Sequence, residues 1–195
     1  EYRRQRQMCI RDRFGFAPQI SVAKREAIAQ LPMASYNKIA VSFGRKVIDA
    51  PTNRSVLGMT RREQAFEALV RPQGHDAALI FVGGALARQI EEEGAGAAVS
   101  FAVSALAEIY GDALRGQVVR SHATRWGRDP FARGAWSMAM PGHADKRVVL
   151  ARPHHDRVFF AGEATDPVGA ARVGGAYASG VRAARDALAA MGVKR

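Results

Sequence analysis

The most constraining stretch of the sequence is residues 158–161, a short apolar run of β-branched and aromatic side chains. A charged residue precedes the run and Gly162 follows it, a pattern typical of a buried strand in an α/β sheet. Glu163 stands where this strand is predicted to end. Because ligands bind at that edge of open α/β sheets, the pattern predicts a binding site around Gly162 and Glu163.

A glycine-rich segment then begins a predicted helix at 174–191. Apolar residues three or four positions apart give this helix an apolar stripe, but its first turns, which include Gly174 and Gly175, carry almost no side chain. Each glycine costs about 1 kcal/mol of helix propensity relative to alanine. The cluster therefore indicates the close approach of a backbone or a flat ligand. The positive end of the helix dipole suits a phosphate or a ring that becomes anionic.

Two segments of the chain resemble one known family. The string FFAGEAT, an intervening loop and VGGAYASGVRAA resemble the C-terminal FAD-binding signature of flavin-containing amine oxidases. That family includes monoamine oxidases, polyamine oxidases and flavin-dependent histone demethylases. Residues 126–137 are similar to the same family's W-x-x-D-P-x-x-x-G-x-Y/W-S motif. The two motifs occur in the family's order and spacing.

The resemblance implies a cofactor site. Gly162 and Glu163 would lie against the pyrophosphate and ribityl part of FAD, with the Glu163 carboxylate accepting hydrogen bonds from hydroxyl groups. Val173, Gly174 and Gly175, at the start of the predicted helix, would face the pyrimidine end of the flavin ring. The helix dipole there favours a reduced, anionic flavin.

The resemblance also gives roles to two tryptophans and an arginine. Trp136 matches the aromatic residue that lines the substrate cavity, with a core tryptophan as the alternative, and Trp126 would pack over the dimethylbenzene side of the flavin. Arg172 falls near the second aromatic position of the cavity, where it would repel a cationic amine and attract an acidic group. In monoamine oxidases a cysteine precedes the cavity aromatic and links covalently to FAD. Ala135 occupies that position here, which implies noncovalent FAD.

The predicted fold is α/β. Residues 15–132 are expected to form part of an α+β substrate-binding domain, and 133–195 the last segment of a Rossmann-like FAD-binding domain. Residues 1–14 show no apolar period, no cap and no initiating methionine, and we expect a non-native or disordered head. The dinucleotide fingerprint G-x-G-x-x-G occurs nowhere in the sequence. We therefore expect an incomplete C-terminal portion that binds FAD weakly and turns over little by itself.

Local patterns predict several further elements. The predicted helices are one that Ser21 caps and that ends at about residue 30, a short one at 61–70, one ending at 93 and one at 97–110. The predicted strands are at 37–43, 76–82 and 117–126. The three glutamates at 91–93 are interpreted as a solvated helix end.

Composition limits the possible partners. The formal net charge is +11, but the arginines are scattered among apolar positions, which favours a solvated surface over a nucleic-acid site. No apolar run is long enough to span a bilayer, and no secretory pattern opens the chain. Cys9 is the single cysteine, so no internal disulfide is expected, and a reducing, cytoplasmic location is compatible with that.

The side chains do not form a catalytic set that works without a cofactor. Ser121 and His122 are adjacent and cannot pair as nucleophile and base, and no two histidines stand at metal-ligand spacing with a carboxylate, so no metal is expected. The expected function is therefore FAD-dependent oxidation of a C–N bond of a small-molecule amine to an imine, with oxygen reduced to hydrogen peroxide. One alternative is a related flavin-dependent desaturase or protoporphyrinogen oxidase. Another is a non-catalytic basic binding module.

Overall fold

The computed structural model describes residues 16, 19–62 and 64–193 of the 195-residue chain. The described elements, in chain order, are α1 (Val22–Gln30), β1 (Tyr36–Phe43), β2 (Arg54–Met59), β3 (Ala65–Val70), β4 (Ala77–Gly83), α2 (Gly84–Glu93), α3 (Ala95–Tyr110), β5 (Val118–Ala123), α4 (Lys146–Ala151) and α5 (Val173–Ala190). This mixture of helices and antiparallel strands is consistent with the predicted α/β class. None of the helices in the described ranges is both long and apolar enough to cross a membrane.

The chain divides into two compact units. The sheet unit is Ser35–Asp129, and the Glu163 unit combines the described residues up to Ala34 with those from Pro130 onward. The family-based domain ranges given above stay a prediction. The predicted head at 1–14, with Cys9, lies outside the described residues.

The sheet unit contains a five-stranded antiparallel sheet in the order β2-β3-β4-β1-β5. Alternate side chains of a strand point to opposite faces, and Ile39, Val41 and Ile80 lie on the face that forms the apolar core with α2 and α3. The opposite face carries Tyr36 and Phe81, whose rings stack with centroids 6.3 Å apart. The strands predicted at 37–43 and 76–82 and both helices of this unit are confirmed within one or two residues.

Two predictions for the sheet unit were wrong. The helix predicted at 61–70 is absent, because residues 65–70 form strand β3, which pairs with β2 on one side and β4 on the other. Its alternating exposed and buried side chains are a strand pattern. Glu91 is not solvated, since only 6% of its surface is exposed.

The Glu163 unit has a smaller apolar core among its described residues, centred on Leu31, Leu150 and Phe160. Helix α1 begins as predicted, with the Ser21 hydroxyl accepting a hydrogen bond from Lys24 N at 3.3 Å. The strand predicted at 158–161 was wrong, since only Val158 makes an isolated bridge, to His154. A strand needs a neighbouring backbone, and here the Phe160 carbonyl accepts from the Arg182 guanidinium at 2.7 Å instead.

Candidate functional site

The Glu163 carboxylate joins three segments of its unit. Its Oε1 accepts a hydrogen bond from Ser137 N at 2.8 Å. Its Oε2 accepts from the Ser137 hydroxyl at 2.7 Å and from Ala171 N at 2.8 Å. A carboxylate has about four acceptor positions, so these described bonds leave room for about one more donor. The side chain is 24% exposed, which gives such a donor access from solvent.

Arg147, on helix α4, completes this cluster from the buried side. Its guanidinium donates to the Ser137 hydroxyl at 2.6 Å, to the Ser137 carbonyl at 3.1 Å and to the Ala164 carbonyl at 3.3 Å. It lies 4.0 Å from Glu163 Oε2, and its side chain is only 8% exposed. Ser137 is thereby bonded through its N–H, its hydroxyl and its carbonyl. We call Ser137, Arg147, Glu163 and Ala171 the Glu163 cluster.

Trp136, the predicted cavity aromatic, directly precedes Ser137. Its carbonyl accepts from Ala34 N at 2.7 Å, and Ala135 N donates to the Ala34 carbonyl at 2.9 Å. The Trp136 side chain is half-buried. The backbone on both sides of this side chain is therefore fixed, while its role toward a substrate stays a prediction.

Gly162 links the predicted binding turn to helix α5. Its φ of 120° is a conformation that favours glycine. Its N–H donates to the Ser179 hydroxyl at 2.8 Å, and its carbonyl accepts from Thr165 N at 2.9 Å. The turn after residue 161 is therefore positioned by α5 rather than by a strand edge.

Gly174 and Gly175, at the start of α5, have different surroundings. A Cβ on Gly175 would collide with the carbonyl oxygen of Gly169 and lie 2.9 Å from its Cα. The close approach that the sequence predicted is here an approach of protein backbone. A Cβ on Gly174 would meet nothing within 4 Å, so this glycine faces open space.

The first turn of α5 is exposed and apolar. Val173 is 88% exposed and Tyr177 76% exposed, and the N-cap residue Arg172, also exposed, makes no side-chain capping bond. Helix N-termini offer unpaired N–H groups and a partial positive charge. We call Arg172, Val173, Gly174 and Tyr177 the α5 entrance. Its chemistry suits a flat ligand that carries negative charge.

Asp166 shapes the loop that leads to this entrance. Its carboxylate accepts hydrogen bonds from Gly169 N at 2.6 Å and Val168 N at 2.9 Å. These bonds hold the pKa of Asp166 below its ordinary value. They also place Gly169 against Gly175, which sets the direction of α5.

Trp126 belongs to the sheet unit and is held by a second buried network. The Asn37 amide donates to Glu91 Oε1 at 2.6 Å, and Gly127 N donates to the same oxygen at 3.0 Å. Trp126 N donates to the Asn37 side-chain oxygen at 3.3 Å. The Trp126 side chain is 43% exposed and lines, with Arg128, a groove of about 650 Å³. Its predicted contact with a flavin stays a prediction.

The structure brings some predicted residues together and adds others. Gly162, Glu163 and the start of α5 share one unit, as does Ser137 of the second motif. Sequence reasoning missed Arg147 and Glu91 as buried organising residues. Arg147 follows Lys146 in a short helix and Glu91 is one of three consecutive glutamates, and charged residues in such patterns are too common to identify a site. Among the described residues, no group of three or more metal-ligating side chains could hold an ion.

Comparison with known proteins supplies the family. A family described as flavin containing amine oxidoreductase matches residues 9–188. The chain belongs to this family. It is 33% identical to polyamine oxidase 2 of Arabidopsis thaliana over 172 residues, which cover 88% of the chain and 35% of that protein. It is 32% identical to polyamine oxidase 4 of Oryza sativa subsp. japonica over 174 residues, covering 87% of the chain and 34% of that protein.

A second kind of relative is similar to a comparable extent. Lysine-specific histone demethylase 1 homolog 2 of Oryza sativa subsp. japonica is 30% identical over 185 residues, which cover 89% of the chain and 24% of that protein. The chain thus spans about a third or less of the length of these curated relatives. Family membership confirms the predicted class, an oxidoreductase family that uses FAD. The FAD is noncovalently bound, in line with Ala135, which has no thiol that could form a link.

Proposed function

We propose that the protein is an FAD-dependent oxidoreductase that oxidises a C–N bond of an amine to an imine and reduces oxygen to hydrogen peroxide. Membership in the flavin-containing amine oxidoreductase family supports the reaction class. The names of the relatives, polyamine oxidases and a lysine-specific histone demethylase homolog, support an amine as the substrate. FAD, when bound, would supply the hydride chemistry, and the protein would supply binding and orientation.

The observation that carries this proposal is the α5 entrance beside the Glu163 cluster. The entrance has the open space that a flat ring requires, because Gly174 carries no side chain and Val173 and Tyr177 are exposed. The N–H groups of the first helical turn would stabilise negative charge on the ring. The residues present therefore fit a flavin, and residues 133–195 would be the last segment of a Rossmann-like FAD-binding domain.

Three chain residues would take defined roles around FAD. Glu163 would use its remaining acceptor position for a hydroxyl of the cofactor. Trp136 would line the cavity for the amine. Arg172, exposed at the α5 entrance, would attract an acidic group of the substrate and disfavour a simple cationic amine.

We further propose that these 195 residues by themselves hold FAD weakly. The sequence contains no G-x-G-x-x-G fingerprint, and backbone N–H groups of that motif are the usual cradle for the cofactor diphosphate. The affinity of these residues for FAD is therefore expected to be low.

Two measurements test the proposal. The protein is titrated with FAD and then mixed with amines under anaerobic conditions and in air. The proposal predicts FAD-dependent stabilisation, bleaching of the flavin absorbance by an amine without oxygen, and peroxide in air. Bleaching by polyenes or porphyrinogens but not by amines would favour the related desaturase or protoporphyrinogen oxidase. No flavin binding together with steeply salt-dependent nucleic-acid binding would favour the basic binding module.

A further inference from the structure

We propose that Arg147 is a positioning residue that fixes Trp136 and Glu163 in the geometry required by the candidate site. The proposal rests on the proposed function for its FAD-binding part. Its structural part concerns only contacts within the Glu163 unit. Neither the resemblance nor the sequence motifs assign any role to this arginine.

The geometry shows that Arg147 acts through Ser137. One guanidinium nitrogen donates to the Ser137 hydroxyl at 2.6 Å, and the other donates to the Ser137 carbonyl at 3.1 Å. The same hydroxyl donates onward to Glu163 Oε2 at 2.7 Å. Because the guanidinium donates to the oxygen of the Ser137 hydroxyl, the hydroxyl proton is directed at the Glu163 carboxylate. Arg147 therefore sets the orientation of the Ser137–Glu163 bond without touching a ligand.

The two guanidinium nitrogens of Arg147 also help to fix the backbone that carries Trp136. The Ser137 carbonyl and N–H are both bonded, to Arg147 and Glu163 respectively. The Trp136 carbonyl, in the same peptide unit as the Ser137 N–H, accepts from Ala34 N at 2.7 Å, and on the other side Ala135 N donates to the Ala34 carbonyl at 2.9 Å. Removing the guanidinium would leave the Ser137 carbonyl without this donor and free the hydroxyl to rotate. The backbone that carries the half-buried Trp136 side chain would then lose one of several hydrogen bonds, since bonds at Ala34 N, Ala135 N and Met138 N also tie this segment to residues 32–34.

Charge gives a second reason for an arginine at this position. The guanidinium lies 4.0 Å from Glu163 Oε2, and both side chains are largely shielded from solvent, with 8% and 24% exposed. A carboxylate next to a cofactor diphosphate repels it. A buried cation on the opposite side of that carboxylate offsets the repulsion. A planar guanidinium can supply the charge and the two-pronged hydrogen bond together, which a lysine cannot.

The experiment compares Arg147→Met with Arg147→Lys in the full chain. Methionine removes charge and hydrogen bonds, whereas lysine restores the charge and one donor. Arg157→Met is the matched control, since Arg157 is an exposed arginine of the same unit. Far-UV circular dichroism first establishes that each variant is folded. If the methionine variant does not fold, Arg147→Gln replaces it, because glutamine keeps one donor to Ser137.

The first readout needs no flavin. The sequence has two tryptophans, so in a Trp126→Phe background the fluorescence reports Trp136 alone. Arg147→Met is expected to shift this emission to longer wavelength and to raise iodide quenching roughly twofold, because the half-buried ring becomes more accessible when Ser137, the next residue, loses its bonds to the guanidinium. Arg147→Lys is expected to lie between wild type and methionine, and Arg157→Met to match wild type.

The second readout is the dissociation constant for FAD, measured in proteins that retain Trp126. It is expected to rise about tenfold in Arg147→Met and to recover partly in Arg147→Lys. A folded Arg147→Met protein with wild-type emission, quenching and FAD affinity would overturn the positioning role. The two readouts can be separated. A wild-type chain that binds no FAD would contradict the proposed function, whereas the fluorescence comparison would still decide the role of Arg147.

Discussion

The sheet unit and the Glu163 unit are stabilised in different ways. In the sheet unit, alternating apolar side chains such as Ile39 and Ile80 form a continuous core with two helices. In the Glu163 unit the described apolar core is smaller, and buried or partly buried cations bond to backbone carbonyls there. These cations are Lys24, Arg147 and Arg182. Repeating apolar patterns therefore specify the first unit, and individual polar side chains specify much of the second.

The largest expected effect comes from the contact between Gly175 and Gly169. Gly175→Ala should destabilise the Glu163 unit by about 3 kcal/mol, because the new Cβ meets backbone atoms of Gly169 that cannot rotate away. Urea denaturation followed by circular dichroism measures the change.

Gly174→Ala is the matched control for this prediction. It lies one residue earlier in the same helix but faces open space, so it should leave stability unchanged or raise it by up to about 1 kcal/mol. Equal effects of the two substitutions would show that the backbone contact does not specify the position of α5.

The comparison also explains what the sequence could predict. The strands around Ile39 and Ile80 and the helices α2 and α3 follow from periodicity, because burial on one face alone decides them. The alternation of β3 was detectable and was overlooked in favour of a helix, whereas β2 lies at the edge of the sheet, with Leu57 85% exposed. An edge strand has little apolar alternation to detect.

In the Glu163 unit, local patterns were less informative. The motif around Glu163 was recognised, yet the predicted strand before it was wrong, because strand formation depends on a partner that local sequence does not reveal. The contacts of Arg147 to Ser137 join residues ten positions apart through a loop. Long side chains of this kind reach many places, so the sequence alone could not identify their partners.

Lys24 gives a test by pH. Its ammonium donates to the carbonyls of Leu150 at 2.8 Å, of Val149 at 3.2 Å and of Arg152, and it lies 4.1 Å from the centroid of the Phe160 ring. Burial, followed by the charges of Arg182 and Arg152, lowers the pKa of Lys24 from 10.5 to about 8.

The sign of the effect follows from proton binding. Between about pH 8 and 10.5 the unfolded chain holds the Lys24 proton and the folded chain has lost it, so stability rises with pH in this window. The wild type should therefore gain up to about 2 kcal/mol between neutral pH and about pH 10, relative to Lys24→Met, which lacks the group. Urea denaturation of both proteins across this range measures the difference, and parallel pH profiles would contradict the prediction.

A smaller effect is expected from the network around Glu91 in the sheet unit. A Cβ on Gly127 would collide with the end of the Glu91 side chain and lie 3.3 Å from its Cδ. Because a flexible side chain can move aside, Gly127→Ala should cost only about 1 kcal/mol. In a Glu91→Ala background that cost should disappear, giving a coupling energy of about 1 kcal/mol in a double-mutant cycle. Additive effects would mean that contact with Glu91 is not the reason for a glycine at position 127.

The smallest effect on stability is expected at the α5 entrance. Tyr177 is 76% exposed, so Tyr177→Ser should change the free energy of unfolding by less than about 0.5 kcal/mol. Leu57→Ser, at a comparably exposed residue of the sheet unit, serves as the control. If the entrance holds the flavin, Tyr177→Ser should weaken FAD binding several-fold, because the aromatic contact area is lost, while Leu57→Ser leaves it unchanged. Isothermal titration with FAD separates the two, and equal affinities in both variants would mean that the exposed aromatic at the α5 entrance has no part in binding the cofactor.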